Sequence, residues 1–212
     1  MPLVRQRIGN VKNTRLASTK AATVKKAETP HLFDERRHTN EPYIGLPRVS
    51  SENRKFIPVG FLDEEVAGDK LYILLGGELY HFGILSSSMH NAFMRLTAGR
   101  MKSDYSYSNT IVYNNFAYPF MADDDDAKTI KAKETIAEAA QGVLDARQHY
   151  QDGSEGASTL AQLYNTYMID PYPKLTKAHT ALDKAVDKAY GYKSKGDDAS
   201  RVEFLLKRIA EG

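Results

Sequence analysis

The densest group of hydrogen-bonding side chains in this sequence runs from Arg95 to Asn115. Within it, Lys102 and Asp104 stand two residues apart, so in an extended segment both side chains would point to the same side. A lysine ammonium donates to the major-groove acceptors of guanine, and an aspartate accepts from the amino group of the paired cytosine. The pair therefore has the chemistry to read both halves of a G·C base pair. The alternative is a surface ion pair that contributes little energy.

A second polar stretch runs from Arg5 to Lys26, where cations are interleaved with Asn, Ser and Thr. Such side chains bond phosphate oxygens and fix the position of a protein on a duplex without reading its sequence. The candidate contacts to the DNA backbone are Arg5, Arg7, Lys12, Arg15 and Lys20, with Arg95 and Arg100 from the later stretch. A solvated, lysine-rich helix face accounts for the early stretch almost equally well.

Charge is distributed unevenly along the 212 residues, although the net charge is only +2. Residues 1–60 hold 12 Lys and Arg against 5 Asp and Glu, so this part is basic and the rest is acidic. A basic end attracts polyanions. The sequence has no cysteine, which excludes disulfides and thiolate zinc sites and favours a cytoplasmic protein. No apolar run approaches the ~20 residues of a membrane helix, so no membrane partner is expected.

Motifs for catalysis and cofactor binding are missing from the sequence, which has no GxGxxG, GxxxxGK[ST] or GxSxG pattern. Its histidines have no close metal-binding spacing. Ser86 to Ser88 precede a helical stretch and are interpreted as N-cap residues, and His81 as a packed or hydrogen-bonded residue. We therefore predict no catalytic, cofactor-binding or metal-binding residue. The alternative is a small enzyme with an unrecognised site, in which His81, Ser86 and an acid converge.

The elements that must position these side chains change in character near Met121. Before it, turn residues separate short apolar runs that predict strands and two helices. The strands are predicted over 43–49, 55–61, 70–75 and 111–113, a basic helix over 16–28, and a second helical stretch over 82–100. The sequence thus predicts an α+β fold whose first part has a mixed or antiparallel sheet with helices.

The chain after Met121 reads as helical. Asp123 to Asp126 predict a solvated boundary, with some of them capping the next helix. Helices are predicted over 127–150, 159–167, 175–189 and 202–209, the third ending at Gly191. Their apolar stripes are narrow, so we expect them to pack on one another or on a neighbouring domain. The predicted domains are 1–121, which holds the strands, and 122–212, an all-α C-terminal domain.

Three segments, taken in order, resemble the C-terminal part of MmeI-like DNA methyltransferases, which are single-chain type II restriction-modification enzymes. The segments are YIGLPRVSSENRKFIPVGFL (43–62), LYHFGILSSSMHNAFMRLTAGRMKSDYSYSNTIVYNNFAYP (79–119) and LTKAHTALDKAVDKAYGY (175–192). In that family, a target-recognition domain and a helical C-terminal region follow a nuclease domain and an adenine methyltransferase domain. The resemblance implies a sequence-specific DNA recognition module whose partners are double-stranded DNA and the catalytic domains of a parent protein.

The resemblance also carries implications for individual residues. The family's base-specifying positions match Lys102, Asp104 and Ser106 here, and a further one falls near Lys70. The family's S-adenosylmethionine-binding glycine motif and its Asn-Pro-Pro-Phe/Tyr motif are not in this sequence, so that cofactor and methyl transfer are implied for the parent protein only. An alternative is a specificity or interaction subunit for a separately encoded methyltransferase.

Overall fold

Two compact units make up the structure, Met1–Thr39 and Asn40–Gly212. It is a computed structural model that describes residues 1–33, 39–63, 65–120, 126–152, 159–165, 172–193 and 196–211. The fold class is α+β, with small antiparallel sheets, helices and an all-helical C-terminal region, which confirms the prediction. The predicted domain boundary between residues 121 and 122 stays a prediction.

The first unit contains helix α1 (Pro2–Leu16), helix α2 (Ala21–Lys25) and a 3-10 turn, Lys26–Glu28. The prediction of a single helix over 16–28 is therefore wrong at its start, because α1 ends where that helix was expected to begin. The Ser18 hydroxyl oxygen accepts a hydrogen bond from the Lys20 amide at 3.2 Å and holds the turn between the two helices. α1 begins with proline in its first turn, where the missing amide costs nothing.

Four strands of the second unit lie between Tyr43 and Leu75. They are β1 (Tyr43–Pro47), β2 (Val49–Ser50), β3 (Gly60–Leu62) and β4 (Leu71–Leu75). β3, β1 and β4 form one antiparallel sheet in that order, with β1 buried at its centre. The strand expected over 55–61 is reduced to β3, and Pro58, which lacks an amide donor, precedes it.

The second sheet is built from β2 and two later strands, β5 (Gly99–Met101) and β6 (Asp104–Ser106), in the order β2, β6, β5. The sequence did not predict β5 or β6. The strand predicted over 111–113 is wrong, because Asn109–Tyr113 forms a short π-helical segment. The Ser108 hydroxyl oxygen accepts from the Ile111 amide at 3.3 Å and starts that helical turn.

Two helices, α3 (Leu79–Leu85) and α4 (Ser88–Thr97), replace the single helical stretch predicted over 82–100. The break falls at Ser86 and Ser87. The Ser87 hydroxyl oxygen accepts from the His90 amide and caps α4, as predicted for these serines. A Cβ on Gly83 would lie 2.7 Å from Ile136 Cγ2, so glycine lets α3 approach the C-terminal helices closely.

The C-terminal helices are α5 (Ala127–Asp152), α6 (Leu160–Leu163), α7 (Pro173–Tyr190) and α8 (Asp198–Glu211), close to the predicted positions. Asp126 caps α5 by accepting from the amides of Lys128 and Thr129 at 2.9 and 3.1 Å. Asp123 to Asp125, and the end of the helix predicted over 159–167, lie outside the described residues. Gly191 ends α7 with a φ of 70°. No helix in the described ranges is both long and apolar enough to span a membrane.

The C-terminal helices pack on the part of the chain that precedes them, α5 on α3 and α8 on α4. One hydrophobic core joins both parts, and its fully buried members include Ile44, Phe82, Ile136 and Leu182. Polar contacts cross the same boundary, since the Tyr190 hydroxyl donates to the Ala117 carbonyl at 2.7 Å. This confirms the expectation that the helices pack on the recognition region.

Asp183 of α7 caps α4 across this boundary. Its carboxylate accepts from the Ser88 amide at 2.7 Å and from the Ser88 hydroxyl at 2.6 Å. We expect Asp183→Ala to lower the free energy of unfolding by about 1–3 kcal/mol, because it leaves both donors unpaired. Asp183→Asn keeps hydrogen-bonding partners for both and should cost far less. Urea unfolding of the two variants measures the difference.

A pH effect accompanies this contact. Burial raises the pKa of Asp183 above its ordinary value and outweighs the bonds from Ser88. A raised folded-state pKa means that the contribution of Asp183 to stability is full below its unfolded pKa and decreases as the pH rises through the folded value. Asp183→Asn should remove this dependence. A cost for Asp183→Asn at neutral pH equal to that of Asp183→Ala would show instead that the negative charge is what stabilises α4.

Candidate nucleic-acid interface

A two-residue turn at Lys102 and Ser103 joins β5 to β6, because Met101 pairs with Asp104 in the ladder. Lys102 has a φ of 57°, a left-handed conformation that this kind of hairpin turn requires and that glycine usually provides. The premise that residues 102–104 are extended is therefore wrong. Lys102 instead lies exposed at the tip of a hairpin, and Asp104 begins the returning strand.

β6 directs alternate side chains to opposite faces. Asp104 and Ser106 are partly exposed on the outward face, whereas Tyr105 and Tyr107 are 7% and 4% exposed and belong to the core. Such alternation is what a strand with one buried face produces. Asp-Tyr-Ser-Tyr is a period-two pattern, so the sequence did contain the signal for this strand.

His90 anchors Tyr107 from α4. Its Nδ1 lies 2.9 Å from the Leu85 carbonyl oxygen and its Nε2 lies 3.0 Å from the Tyr107 hydroxyl. A carbonyl only accepts, so Nδ1 carries the proton and Nε2 accepts from the tyrosine. Burial lowers the pKa of His90 to about 4, although the bond to Leu85 acts in the opposite direction. The neutral His90 thus holds, through Tyr107, the buried side of the segment that presents Asp104 and Ser106.

Arg100 braces the hairpin from β5. Its guanidinium lies over the Tyr105 ring at 3.9 Å from the centroid, and its Nη1 donates to the Ser103 carbonyl at 2.7 Å. The same nitrogen lies 3.7 Å from a Glu52 carboxylate oxygen. These contacts tie the tip to its own strands, which favours a structural role for Arg100; its assignment as a phosphate contact stays a prediction.

Lys70 is connected to this hairpin through backbone bonds. Its carbonyl accepts from the Arg48 amide at 2.9 Å, and the Arg48 carbonyl accepts from the Tyr107 amide at 2.8 Å. Lys70 is exposed and lies 3.0 Å from the neighbouring Asp69 carboxylate. The structure therefore brings Lys70 to the same end of the unit as Ser106, joined through Arg48.

Of the residues predicted to contact the DNA backbone, some are exposed and others form hydrogen bonds within the protein. Arg5, Arg7, Lys12 and Lys20 are all exposed. Arg15 donates to the carbonyls of residues 26, 29 and 32 at 2.8–3.0 Å and closes the first unit on itself. Arg5 and Lys12 share one face of α1 because they are seven residues apart, whereas Arg7 lies on another face.

Arg95 is also engaged inside the protein. Its Nε donates to Asp198 at 2.7 Å and its Nη1 donates to the Lys55 carbonyl at 2.8 Å. These bonds join α4 to the start of α8. Arg95 therefore has a structural part in holding the C-terminal helix, and its assignment as a phosphate contact stays a prediction.

The residues considered for an enzyme site have structural surroundings. The His81 Nδ1 accepts from the Glu78 amide at 3.0 Å, and the two residues form a capping box for α3. Ser86 is fully buried, and among the described residues its hydroxyl has no hydrogen-bond partner. Within the described part of the chain, no hydrogen bond joins the His81 and Ser86 side chains as a base and its nucleophile.

Comparison with known proteins identifies the class to which this fold belongs. The family model of the MmeI target recognition domain matches residues 1–120, and that of the MmeI C-terminal domain matches residues 128–211. The chain belongs to the MmeI target recognition domain family and continues into the C-terminal domain of that family, which confirms the resemblance found in the sequence.

Two relatives show how far the similarity extends. DNA methyltransferase A of Bacillus subtilis (strain 168) is 37% identical over 211 residues, which cover 99% of this chain and 22% of that protein. A solved structure of the Type IIL restriction-modification enzyme MmeI in complex with DNA is 38% identical, with a TM-score of 0.84, and the match covers 100% of this chain and 26% of that one. The chain thus spans about a quarter of each relative or less.

Proposed function

We propose that this chain is the sequence-reading module of a restriction-modification DNA methyltransferase and that it binds double-stranded DNA through the hairpin of β5 and β6. One observation carries the proposal: the hairpin holds Lys102 at its tip and directs Asp104 and Ser106 outward, while the intervening tyrosines are buried. A two-stranded ribbon fits the major groove of B-DNA, where each base pair presents a distinct set of donors and acceptors. The family match and the relatives support this proposal.

Within that groove, each side chain has a defined partner. Lys102 donates to the O6 and N7 acceptors of guanine, and Asp104 accepts from the N4 amino group of the paired cytosine. Ser106, on the same face as Asp104, donates to or accepts from a neighbouring base. Lys70 reads a further position from the adjoining end of β4. A positive φ at Lys102 costs energy for a lysine, which suits a residue kept for its ammonium group.

Contacts to the DNA backbone come from the basic first unit. Arg5, Arg7, Lys12 and Lys20 are exposed and are the candidates for phosphate contacts. Such contacts supply affinity that depends on salt, whereas the hairpin supplies sequence discrimination. The two contributions are therefore separable by measuring binding at two ionic strengths.

Methyl transfer, adenine specificity and DNA cleavage belong in this proposal to a parent enzyme rather than to these residues. S-adenosylmethionine would bind outside the chain, because neither its glycine motif nor the Asn-Pro-Pro motif is in this sequence. The same residues would serve equally as a specificity subunit for a separately encoded methyltransferase. Purification with a partner chain that carries the missing motifs would favour that second arrangement.

The test is selection of bound molecules from a pool of random duplex DNA, followed by sequencing, for the wild-type chain and for Lys102→Gly/Asp104→Ala. We expect an enriched motif with a G·C pair that the wild type prefers by roughly 10–100-fold, the range typical of one well-placed contact to a base edge. The double variant should lose that preference and keep its fold, because glycine accepts the positive φ at the turn.

A matched control is Lys131→Ala/Glu134→Ala, which removes an exposed ion pair of the same charge types on α5, 3.5 Å apart. It should select the same motif as the wild type. Salt-sensitive binding without any motif would mean that specificity needs the parent enzyme. No binding at all at ~50 mM salt, where phosphate contacts are strong, would refute DNA recognition by this chain.

A further inference from the structure

Met101 is an apolar side chain placed beside the proposed base-reading carboxylate. It is the last residue of β5 and stands directly opposite Asp104 in the ladder. Cross-strand partners of this kind share one face of a sheet, with Cβ atoms about 4.5–5.5 Å apart. Met101 is 54% exposed, and within the described part of the chain it is not among the residues packed on the hydrophobic core. It therefore faces outward together with Asp104.

The rest of β5 leaves this position open. Gly99 stands opposite Ser106, and a Cβ on it would meet nothing nearer than the Ser106 carbonyl oxygen at 3.7 Å. Arg100 lies on the other face, over the Tyr105 ring. Of the three residues of β5, Met101 is thus the one whose side chain stands beside Asp104, and no other β5 side chain separates it from Ser106.

The chemistry of cytosine makes this arrangement informative. The N4 amino group, from which Asp104 would accept, is attached to the ring carbon next to C5, and both lie at the major-groove edge. C5 carries hydrogen in cytosine and a methyl group in 5-methylcytosine. Neighbouring side chains on one face can therefore contact neighbouring positions of one base. Methionine suits such a contact because its thioether is flexible and polarisable.

We propose that Met101 contacts the C5 edge of the cytosine whose amino group Asp104 accepts from, so that this chain binds DNA more tightly when that cytosine is methylated at C5. The inference rests on the proposed function. Thymine carries the same methyl group but presents its O4 acceptor to the Asp104 carboxylate, and it is rejected. The pair Met101 and Asp104 thus distinguishes the three pyrimidines, with 5-methylcytosine bound best.

The test uses the full chain and a duplex that carries its selected motif, with each cytosine replaced in turn by 5-methylcytosine and affinity measured by fluorescence anisotropy. At one position, the one whose discrimination Asp104→Ala abolishes, methylation should tighten binding by about fourfold, the value expected for burial of one methyl group. Met101→Ala should bind the two duplexes equally, and Met101→Leu should keep the preference. Leu96→Ala is the control, since Leu96 is 55% exposed and lies on α4.

The outcomes separate this inference from the function on which it rests. A selected motif whose binding is unchanged or weakened by methylation at that position would overturn the role of Met101 and leave sequence recognition intact. A preference for 5-methylcytosine that persists in Met101→Ala would overturn it as well. Failure to select any motif would overturn base reading by this chain on its own, and with it the role of Met101. Because Met101 is exposed, loss of the preference in Met101→Ala with an unchanged unfolding midpoint is a direct contact effect.

Discussion

Replacing Arg147 by Ala should lower the free energy of unfolding by about 3 kcal/mol, although the residue lies far along the chain from the hairpin. Arg147 is 3% exposed. Its Nη1 donates to the Val59 carbonyl at 2.7 Å, and its Nε and Nη2 donate to the Tyr164 hydroxyl at 2.9 and 2.7 Å. Among the described residues no carboxylate forms an ion pair with Arg147. Its buried charge is therefore stabilised by these neutral acceptors and by two aromatic rings.

The magnitude follows from two opposing effects. Truncation leaves a buried carbonyl without a donor and opens a cavity, each of which costs about 1–3 kcal/mol or more. It also removes a desolvated charge, which offsets part of the loss. Because the guanidinium joins α5 to the residue just before β3 and to the residue just after α6, its loss loosens the attachment of the helices to the sheet region.

Arg208→Ala is the matched control for this prediction. Arg208 also lies over a tyrosine ring, 5.7 Å from the Tyr190 centroid, and donates to the Pro119 carbonyl at 3.2 Å, but it is exposed. Its removal should cost less than about 0.5 kcal/mol, as is usual for surface substitutions. Urea unfolding followed by circular dichroism measures both variants. Equal effects of the two replacements would show that the buried network contributes little.

The sequence predicted the C-terminal helices well because the two signals that indicate them, apolar spacing and helix-end residues, are local. Leu182 and Val186 recur at helical spacing, and Gly191 and Asp126 mark helix ends by their own conformation and side chain. α1 was not predicted because its sequence lacks the first of these signals. None of its residues is buried, so its sequence carries no apolar periodicity from which a helix could be inferred.

The hairpin was harder to predict than the helices. β5 and β6 have three residues each, and the alternation around β6 spans only four residues, the shortest run in which it is recognised. The turn between them also lacks the Asn-Gly or Asp-Gly pair that usually marks a two-residue loop. Lys102 and Asp104 were therefore identified from their chemistry, whereas the turn formed by Lys102 and Ser103 was not predicted.

The buried hydrogen bonds that support the candidate site could not be predicted from local sequence patterns. His90 meets Tyr107 across 17 positions, and Arg147 meets Val59 across 88. Hydrogen bonds over such separations depend on how the elements pack, which no local pattern in one sequence specifies. His81 forms a hydrogen bond, as the sequence indicated, whereas the role of His90 as the anchor of β6 emerged only with the fold.

Acidification from pH 6.5 to pH 5 should lower the free energy of unfolding by about 3 kcal/mol through two buried histidines. Burial lowers the pKa of His179 to about 3, helped by repulsion from Arg147 and Lys55, and burial lowers the pKa of His90 to about 4. A depressed folded-state pKa stabilises the fold above the unfolded value of about 6.5, and that stability is lost as the pH falls. Each histidine contributes at most about 1.4 kcal/mol per pH unit, and about half of that at pH 6.5, where half of the unfolded chains already carry the proton.

Geometry explains why neither ring accepts a proton readily. The Tyr164 hydroxyl receives two bonds from Arg147, so its own hydrogen points to His179 Nε2 at 2.7 Å. The His179 ring is stacked on the Phe56 ring, with 4.0 Å between their centroids. A proton on Nε2 would face a donor instead of an acceptor. In His90 the proton would face the hydroxyl of Tyr107, which holds β6.

Urea unfolding at several pH values tests this, with His179→Gln and His149→Gln compared with the wild type. Glutamine at 179 can accept from Tyr164 without titrating, so about half of the pH dependence should disappear. His149 is exposed, and its replacement should leave the dependence unchanged. A wild-type stability that is constant between pH 6.5 and 5 would contradict the neutral histidines. Because His90 holds the strand that presents Asp104 and stays neutral in the folded chain, sequence discrimination should be kept down to about pH 5 and decline only as the pH approaches the His90 pKa of about 4.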